Sequence, residues 1–193
     1  MPRLVDETKM VRIKNAAIEL VVNNGYGGAS ISAIAKKAEV AEGYLYRYYN
    51  GKLDLITDLL YSHINVLIEK LENLIKNYTD VDEIITLLFQ KIFEIATNNS
   101  DHIKFMHVLM HDYNFQISEE QRKQIKKISS QVISMGKENN KFNPSITEEE
   151  IFLMTIIYPI EFINMRMKDF FGKKTWSKSD ISRTIEFCIN TLK

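Results

Sequence analysis

Apolar residues along this chain recur at three- and four-residue intervals, and no stretch alternates apolar and polar positions over strand length between turn signals. That spacing predicts an all-α protein. A first helix is expected from near Asp6 or Thr8, with Ile13, Ala16, Ala17, Leu20 and Val21 on one face and Gly25, Tyr26 and Gly27 ending it. Ser30 is suited to cap a short second helix, Ser32 to Ala38, whose inward positions are Ile31, Ile34, Ala35 and Ala38. A third short helix is expected from about Ala41 to Tyr48. After the break at Asn50 and Gly51, Lys52 begins a long fourth helix, extending to about Asn77, with Leu53, Ile56, Leu59 and Leu60 inward.

Later starts are marked by capping pairs: Asp80 with Glu83, Ser118 with Gln121, and Thr147 with Glu150, the last with a staple of Ile146 on Ile151. The helix after Ser118 carries Ile125, Ile128 and Val132 on one stripe. The helix after Thr147 is apolar nearly all round, which predicts that part of it meets another subunit. Pro159 lies inside it and must kink or break it. A last helix, about Ser179 to Leu192, carries Ile181, Ile185, Phe187 and Ile189.

Composition narrows the function. With 193 residues the chain is long enough for a real core, and a single cysteine, Cys188, rules out an internal disulfide. No leader is expected before the first helix, and Ile151 to Ile163 falls short of a membrane span, so a cytoplasmic location is expected. Net charge is zero, but residues 1–55 hold 8 Lys and Arg against 6 Asp and Glu, leaving 17 against 19 elsewhere. No glycine-rich phosphate loop, nucleophile elbow or paired carboxylates point to an enzyme, and no cofactor is expected.

The informative stretch is Ser30 to Leu55, SISAIAKKAEVAEGYLYRYYNGKLDL. Two short helices joined by three residues, with the small Ala35 at their crossing, make a helix-turn-helix. Four tyrosines and an arginine within GYLYRYY are costly in solvent but reasonable against DNA. The spacing of Ser30, Ile34, Ala35, Ala38, Val40, Gly43, Leu45, Tyr46, Tyr48, Tyr49 and Lys52 resembles the N-terminal signature of the tetracycline-repressor (TetR) family, over about residues 8–60. Glu39 stands where that family usually has glycine, and Ala41 replaces the usual serine cap of the recognition helix.

The resemblance implies that Glu42, Gly43, Tyr44, Tyr46 and Arg47 face the major groove or its rim, with Tyr48 and Lys52 on phosphate. Ser32 joins this set. Arg47 suits bidentate reading of guanine and Glu42 suits cytosine N4, although Glu42 equally suits the positive end of a helix and Tyr46 a partly buried site. Lys36 and Lys37 are either a solvated face or phosphate contacts.

The remainder is rich in large, adaptable side chains. Phe93, Phe105, Met106, Met110, Tyr113, Phe162 and Met165 are candidates for a pocket that takes a small apolar or amphipathic effector, against the plainer reading as core. His107 and His111 have zinc-ligand spacing without a recognisable third ligand, so no metal site is expected. Glu161 and Arg166 either pair or face a cavity. The expectation is a helix-turn-helix DNA-binding domain over 1–52 and a helical ligand-binding and dimerisation domain over 53–193. Together they would form a homodimeric repressor released by its ligand from a palindromic operator in double-stranded DNA. A regulator sensing a protein partner, or nothing, is the alternative.

Overall fold

The computed structural model describes residues 6–193, so the first five residues of the expected DNA-binding domain lie outside it. The described residues form helices and turns with no strand, as the spacing predicts. In chain order the helices are α1 (Glu7–Gly28), α2 (Ile31–Lys37), α3 (Glu42–Leu45), α4 (Lys52–Asn77), α5 (Val81–Asn98), α6 (Ser100–Met110), α7 (Glu119–Glu138), α8 (Glu148–Phe152), α9 (Tyr158–Met167) and α10 (Lys178–Leu192). None is long and apolar enough to cross a membrane. Two compact units result. One takes in the chain up to His63 together with Lys104–Gln116, and the other takes in Ile64–Ile103 and Ile117–Lys193. This division by packing falls later in the chain than the one expected after Lys52.

In the first unit, Asp6 caps α1 by accepting from the Lys9 amide at 3.2 Å, and Gly25 at φ 72° breaks the helical direction near its end. Ile13, Ala16, Ala17 and Val21 of α1 are buried with Ile31, Ile34, Ala35 and Ala38, and Leu20 is half-buried. The inward face of α4 differs from expectation in one position. Leu55, Ile56, Leu59 and Leu60 are buried, while Leu53 is 55% exposed. An apolar cluster this dense admits two helical registers, and packing selects the one through Leu55.

In the second unit two of the three predicted capping pairs close as boxes, Ser118 with Gln121 and Thr147 with Glu150, while Asp80 caps α5 by accepting from the Asp82 amide at 2.9 Å rather than closing a box with Glu83. An unpredicted box joins Ser177 to Asp180 at the start of α10. Asn99 separates α5 from α6, which begins at the next residue. Gly136 lies within α7 against the Phe142 ring, where a Cβ would collide with the aromatic carbons.

The expected kink at Pro159 takes the form of a wide π-turn over Leu153–Ile157, which leaves Pro159 in the first turn of α9. The Tyr158 amide reaches back five residues to the Leu153 carbonyl. In that pattern the Met154 carbonyl would receive the amide of residue 159, and proline has none. The buried Cys188 thiol donates to it instead, at 3.4 Å, and burial pushes that thiol's pKa up to about 12. The lone cysteine therefore acts here as a hydrogen-bond donor.

Arg166 follows neither expected alternative: it pairs with Asp180 rather than with Glu161, at 2.8 Å with both side chains buried, and its guanidinium lies 5.0 Å from the Phe162 ring centroid. Asp180 also accepts from Arg183 and from the amide and hydroxyl of Ser177, which together hold its carboxyl well below the ordinary carboxylate range. On α10 the buried residues are Thr184, Ile185, Cys188 and Leu192, with Ile181 and Ile189 half-buried. Phe187, expected on the inward stripe, is instead 57% exposed, its ring 5.4 Å from that of Tyr158.

Candidate nucleic-acid interface

Ser30 begins α2 by accepting from the Ala33 amide at 3.1 Å, as a serine N-cap should. The helix ends in a Schellman turn, with the Val40 amide on the Ala35 carbonyl at 3.0 Å and the Glu39 amide on the Lys36 carbonyl at 3.2 Å. That turn puts Glu39 at φ 54°, a left-handed conformation costing about 1 kcal/mol for a non-glycine residue. Its carboxylate reaches Arg12 of α1 at 3.1 Å, but Glu39 is 82% exposed, so the pair returns less than about 1 kcal/mol.

From this turn the chain enters α3, where Ala41 supplies no side-chain cap. Turns continue past Leu45 as the Tyr48 and Tyr49 amides both donate to its carbonyl. Leu45 is the anchor of this segment, with no exposed surface. Around it Glu42, Gly43, Tyr46 and Arg47 are exposed, Tyr46 by 56%, so the partly buried alternative for Tyr46 does not hold. Ser32 is exposed on α2.

Tyr44 and Tyr48 are half-buried, with ring centroids 5.3 Å apart. Two cations flank the Tyr44 ring, the Lys9 ammonium at 5.5 Å and the Arg47 guanidinium at 6.0 Å. The Tyr48 pKa is raised, first by its hydroxyl interaction with Tyr44 and then by desolvation, so it presents a neutral hydroxyl at physiological pH. Tyr49 donates to Asp58 at 2.8 Å and ties the end of the recognition segment to α4.

Lys52 is held in place rather than free at the surface. Its ammonium donates to the Tyr26 carbonyl at 2.9 Å and lies 4.1 Å from that ring's centroid. An ammonium has three donors, and this placement uses one of them. Before it, the Asp54 carboxylate accepts from the Asn50 amide at 2.9 Å and fixes the entry into α4. Of the two lysines on α2, Lys37 pairs with Glu19 at 2.7 Å, while Lys36 is exposed. The resulting face carries exposed hydrogen-bonding groups, aromatic edges and fixed cations, which suits phosphate contact by cations and base contact by a short projecting helix. Sequence reading missed Lys9 and the anchoring role of Tyr26; the only signal for Lys9 was its place one turn past the Asp6 cap.

The candidate effector residues fall in both units. In the first, Phe105 and Met106 are buried, Phe105 against the His63 ring at 5.4 Å, while Met110 is 40% exposed and Tyr113 is 99% exposed. Tyr113 projects into solvent and does not line an apolar interior. In the second, Phe93 is buried, Phe162 half-buried and Met165 partly exposed. Phe93 meets Phe162 at 6.0 Å and Trp176 at 5.7 Å, both edge-on, so the chain's one tryptophan joins a cluster in which sequence reading had not placed it.

Residues 13–59 match the family model described as bacterial regulatory proteins, tetR family. A fatty acid metabolism regulator protein of Bacillus subtilis is 33% identical over 91 residues, which is 47% of this chain and 47% of that protein. The matched stretch thus spans about half the length of such curated relatives. Among solved structures, a TetR family transcription regulator from Marinobacter aquaeolei superposes with a TM-score of 0.80 at 16% identity, covering 98% of both chains. The transcriptional regulator FadR of Bacillus subtilis, solved in complex with stearoyl-CoA, superposes with a TM-score of 0.67 at 21% identity, covering 95% of this chain and 97% of that one. At these identities the structural likeness is one of fold.

Proposed function

We propose that this chain, whose residues 13–59 match the tetR family of bacterial regulatory proteins, acts as a ligand-responsive transcriptional repressor. The observation that carries this reading is the projecting segment Glu42 to Tyr48, anchored by Leu45 and flanked by Lys9, Arg47 and the pre-positioned Lys52. Arg47 and Glu42 contact base edges, and Tyr48 and Lys52 contact phosphate.

The working form is a cytoplasmic homodimer on a palindromic operator, with no catalytic role and no cofactor. Exposed apolar side chains on the second unit support the dimer: Leu153, Met165 and Phe187 are each at least 39% exposed on or beside α9 and α10. The effector is a small apolar or amphipathic molecule. The stearoyl-CoA held by the Bacillus subtilis regulator exemplifies that class, and the Phe93, Phe162 and Trp176 cluster offers aromatic surface of the required kind. A tenfold loss of operator affinity requires only about 1.4 kcal/mol of ligand preference for the non-binding conformation.

The test is selection of bound duplexes from a random pool by the intact chain. Two-fold related recognition segments should enrich palindromes whose half-sites lie about 34–36 Å apart or a multiple of that spacing. Failure to enrich any duplex, or enrichment of single half-sites only, would overturn the reading.

A further inference from the structure

Near the end of α6 two histidines stand one helical turn apart, outside the DNA-facing surface. The geometry points to His107 and His111 as a two-imidazole chelate for a borderline divalent transition metal such as Cu2+, Ni2+ or Zn2+. Their ring centroids are 4.4 Å apart, and a ring nitrogen of each lies within 4.8 Å of the other. Two nitrogens bound to one tetrahedral metal at about 2.0–2.1 Å stand about 3.4 Å apart, so the rings need only close modestly. His111 is exposed and His107 half-buried.

The tautomer is also suited to the task. Nδ1 of His111 lies 2.9 Å from the His107 carbonyl, which also receives the His111 amide at 3.2 Å. A carbonyl only accepts, so Nδ1 carries the proton and Nε2 is the nitrogen through which His111 would ligate. A ligating imidazole whose other nitrogen donates to a backbone carbonyl is the usual arrangement around bound metals, because it fixes ring orientation and raises ligand basicity. Spacing alone is a weak signal, as the sequence shows by offering no third ligand at a recognisable interval. Near approach of the rings together with a fixed tautomer is what the fold adds. Neutral nitrogen donors with open water positions favour Cu2+ over the other divalent ions of its row.

The experiment is titration of the intact chain with Cu2+, followed by electron paramagnetic resonance, with a competing weak chelator to set the affinity. The parent should bind one ion with hyperfine structure from two imidazole nitrogens. His111→Ala alters an exposed side chain and should keep the far-ultraviolet circular dichroism of the parent. It should nonetheless show one nitrogen and an affinity lower by about a hundredfold, as loss of one arm of a two-point attachment implies. His63→Gln and His102→Gln, which change the other two histidines of the chain, should bind as the parent does. The proposal is overturned if His111→Ala binds Cu2+ like the parent, if the two-nitrogen signal is absent from the parent, or if it disappears with His63 or His102 instead.

Discussion

Replacing Leu45 by alanine separates the folding of the segment around α3 from its proposed contact with DNA. Leu45 is the buried residue of α3 and has no exposed surface, while Tyr46, the next residue, is 56% exposed. Leu45→Ala removes three buried carbons, worth about 0.8 kcal/mol each in transfer alone. The cavity left behind adds to that, giving a loss of about 2–5 kcal/mol. Tyr46→Ala removes a side chain largely in water and should change stability by no more than about 0.5 kcal/mol. Urea denaturation followed by circular dichroism measures both variants, and duplex binding is measured under conditions where each is folded. Leu45→Ala should shift the unfolding midpoint strongly. Tyr46→Ala should leave it in place and still weaken operator binding. A Leu45→Ala variant as stable as the parent, or a Tyr46→Ala variant that unfolds early yet binds DNA normally, would refute the assignment of inner and outer faces.

Gly136→Ala should destabilise the protein by about 1–3 kcal/mol despite alanine's better helix propensity, because the added Cβ meets the Phe142 ring; combining it with Phe142→Leu should restore much of the loss in a thermal melt. Asp180 has its carboxyl pKa depressed in the folded state, chiefly by the Ser177 hydrogen bonds, so its stabilising contribution is complete above the ordinary value near 3.8 and is lost as pH falls through the lower folded value. The stability gap between the parent and Asp180→Asn in urea titrations should therefore be full at pH 5 and above and shrink in acid; a gap constant down to the acid limit would contradict the pairing. Phe187→Glu places a charge on an exposed apolar site of α10 and should shift sedimentation toward monomers without altering helix content, and an unchanged dimer would move the proposed interface elsewhere.

Capping chemistry was the most legible part of the fold. Ser30, Ser118 with Gln121, and Thr147 with Glu150 all cap where their side chains predict, because each bond is local and independent of tertiary context. Burial was harder to read where apolar residues crowd together. Leu53 and Phe187 sit beside better-placed neighbours, and only packing decides which of them turns inward. Pro159 announced an irregularity, but not that a π-turn would absorb it or that Cys188, far along the chain, would satisfy the carbonyl left over. The family resemblance implied an outward face for Glu42, Gly43, Tyr46 and Arg47, and these residues are exposed around the buried Leu45. The Tyr26 contact that fixes Lys52 was not legible, because it joins residues 26 positions apart through a backbone carbonyl that no side-chain pattern reveals.

The most direct test of the central claim is titration of a labelled, selected operator with the intact chain at several salt concentrations, alongside Lys52→Gln. Glutamine removes the charge while keeping an N–H donor on a slightly shorter side chain beside the Tyr26 carbonyl, and circular dichroism checks that the variant's helix content matches the parent's. Binding should weaken linearly in log–log form with added salt, and the variant's slope should be smaller by about 0.9, the share of one phosphate contact. Binding that ignores salt, or a Lys52→Gln slope equal to the parent's, would contradict the account.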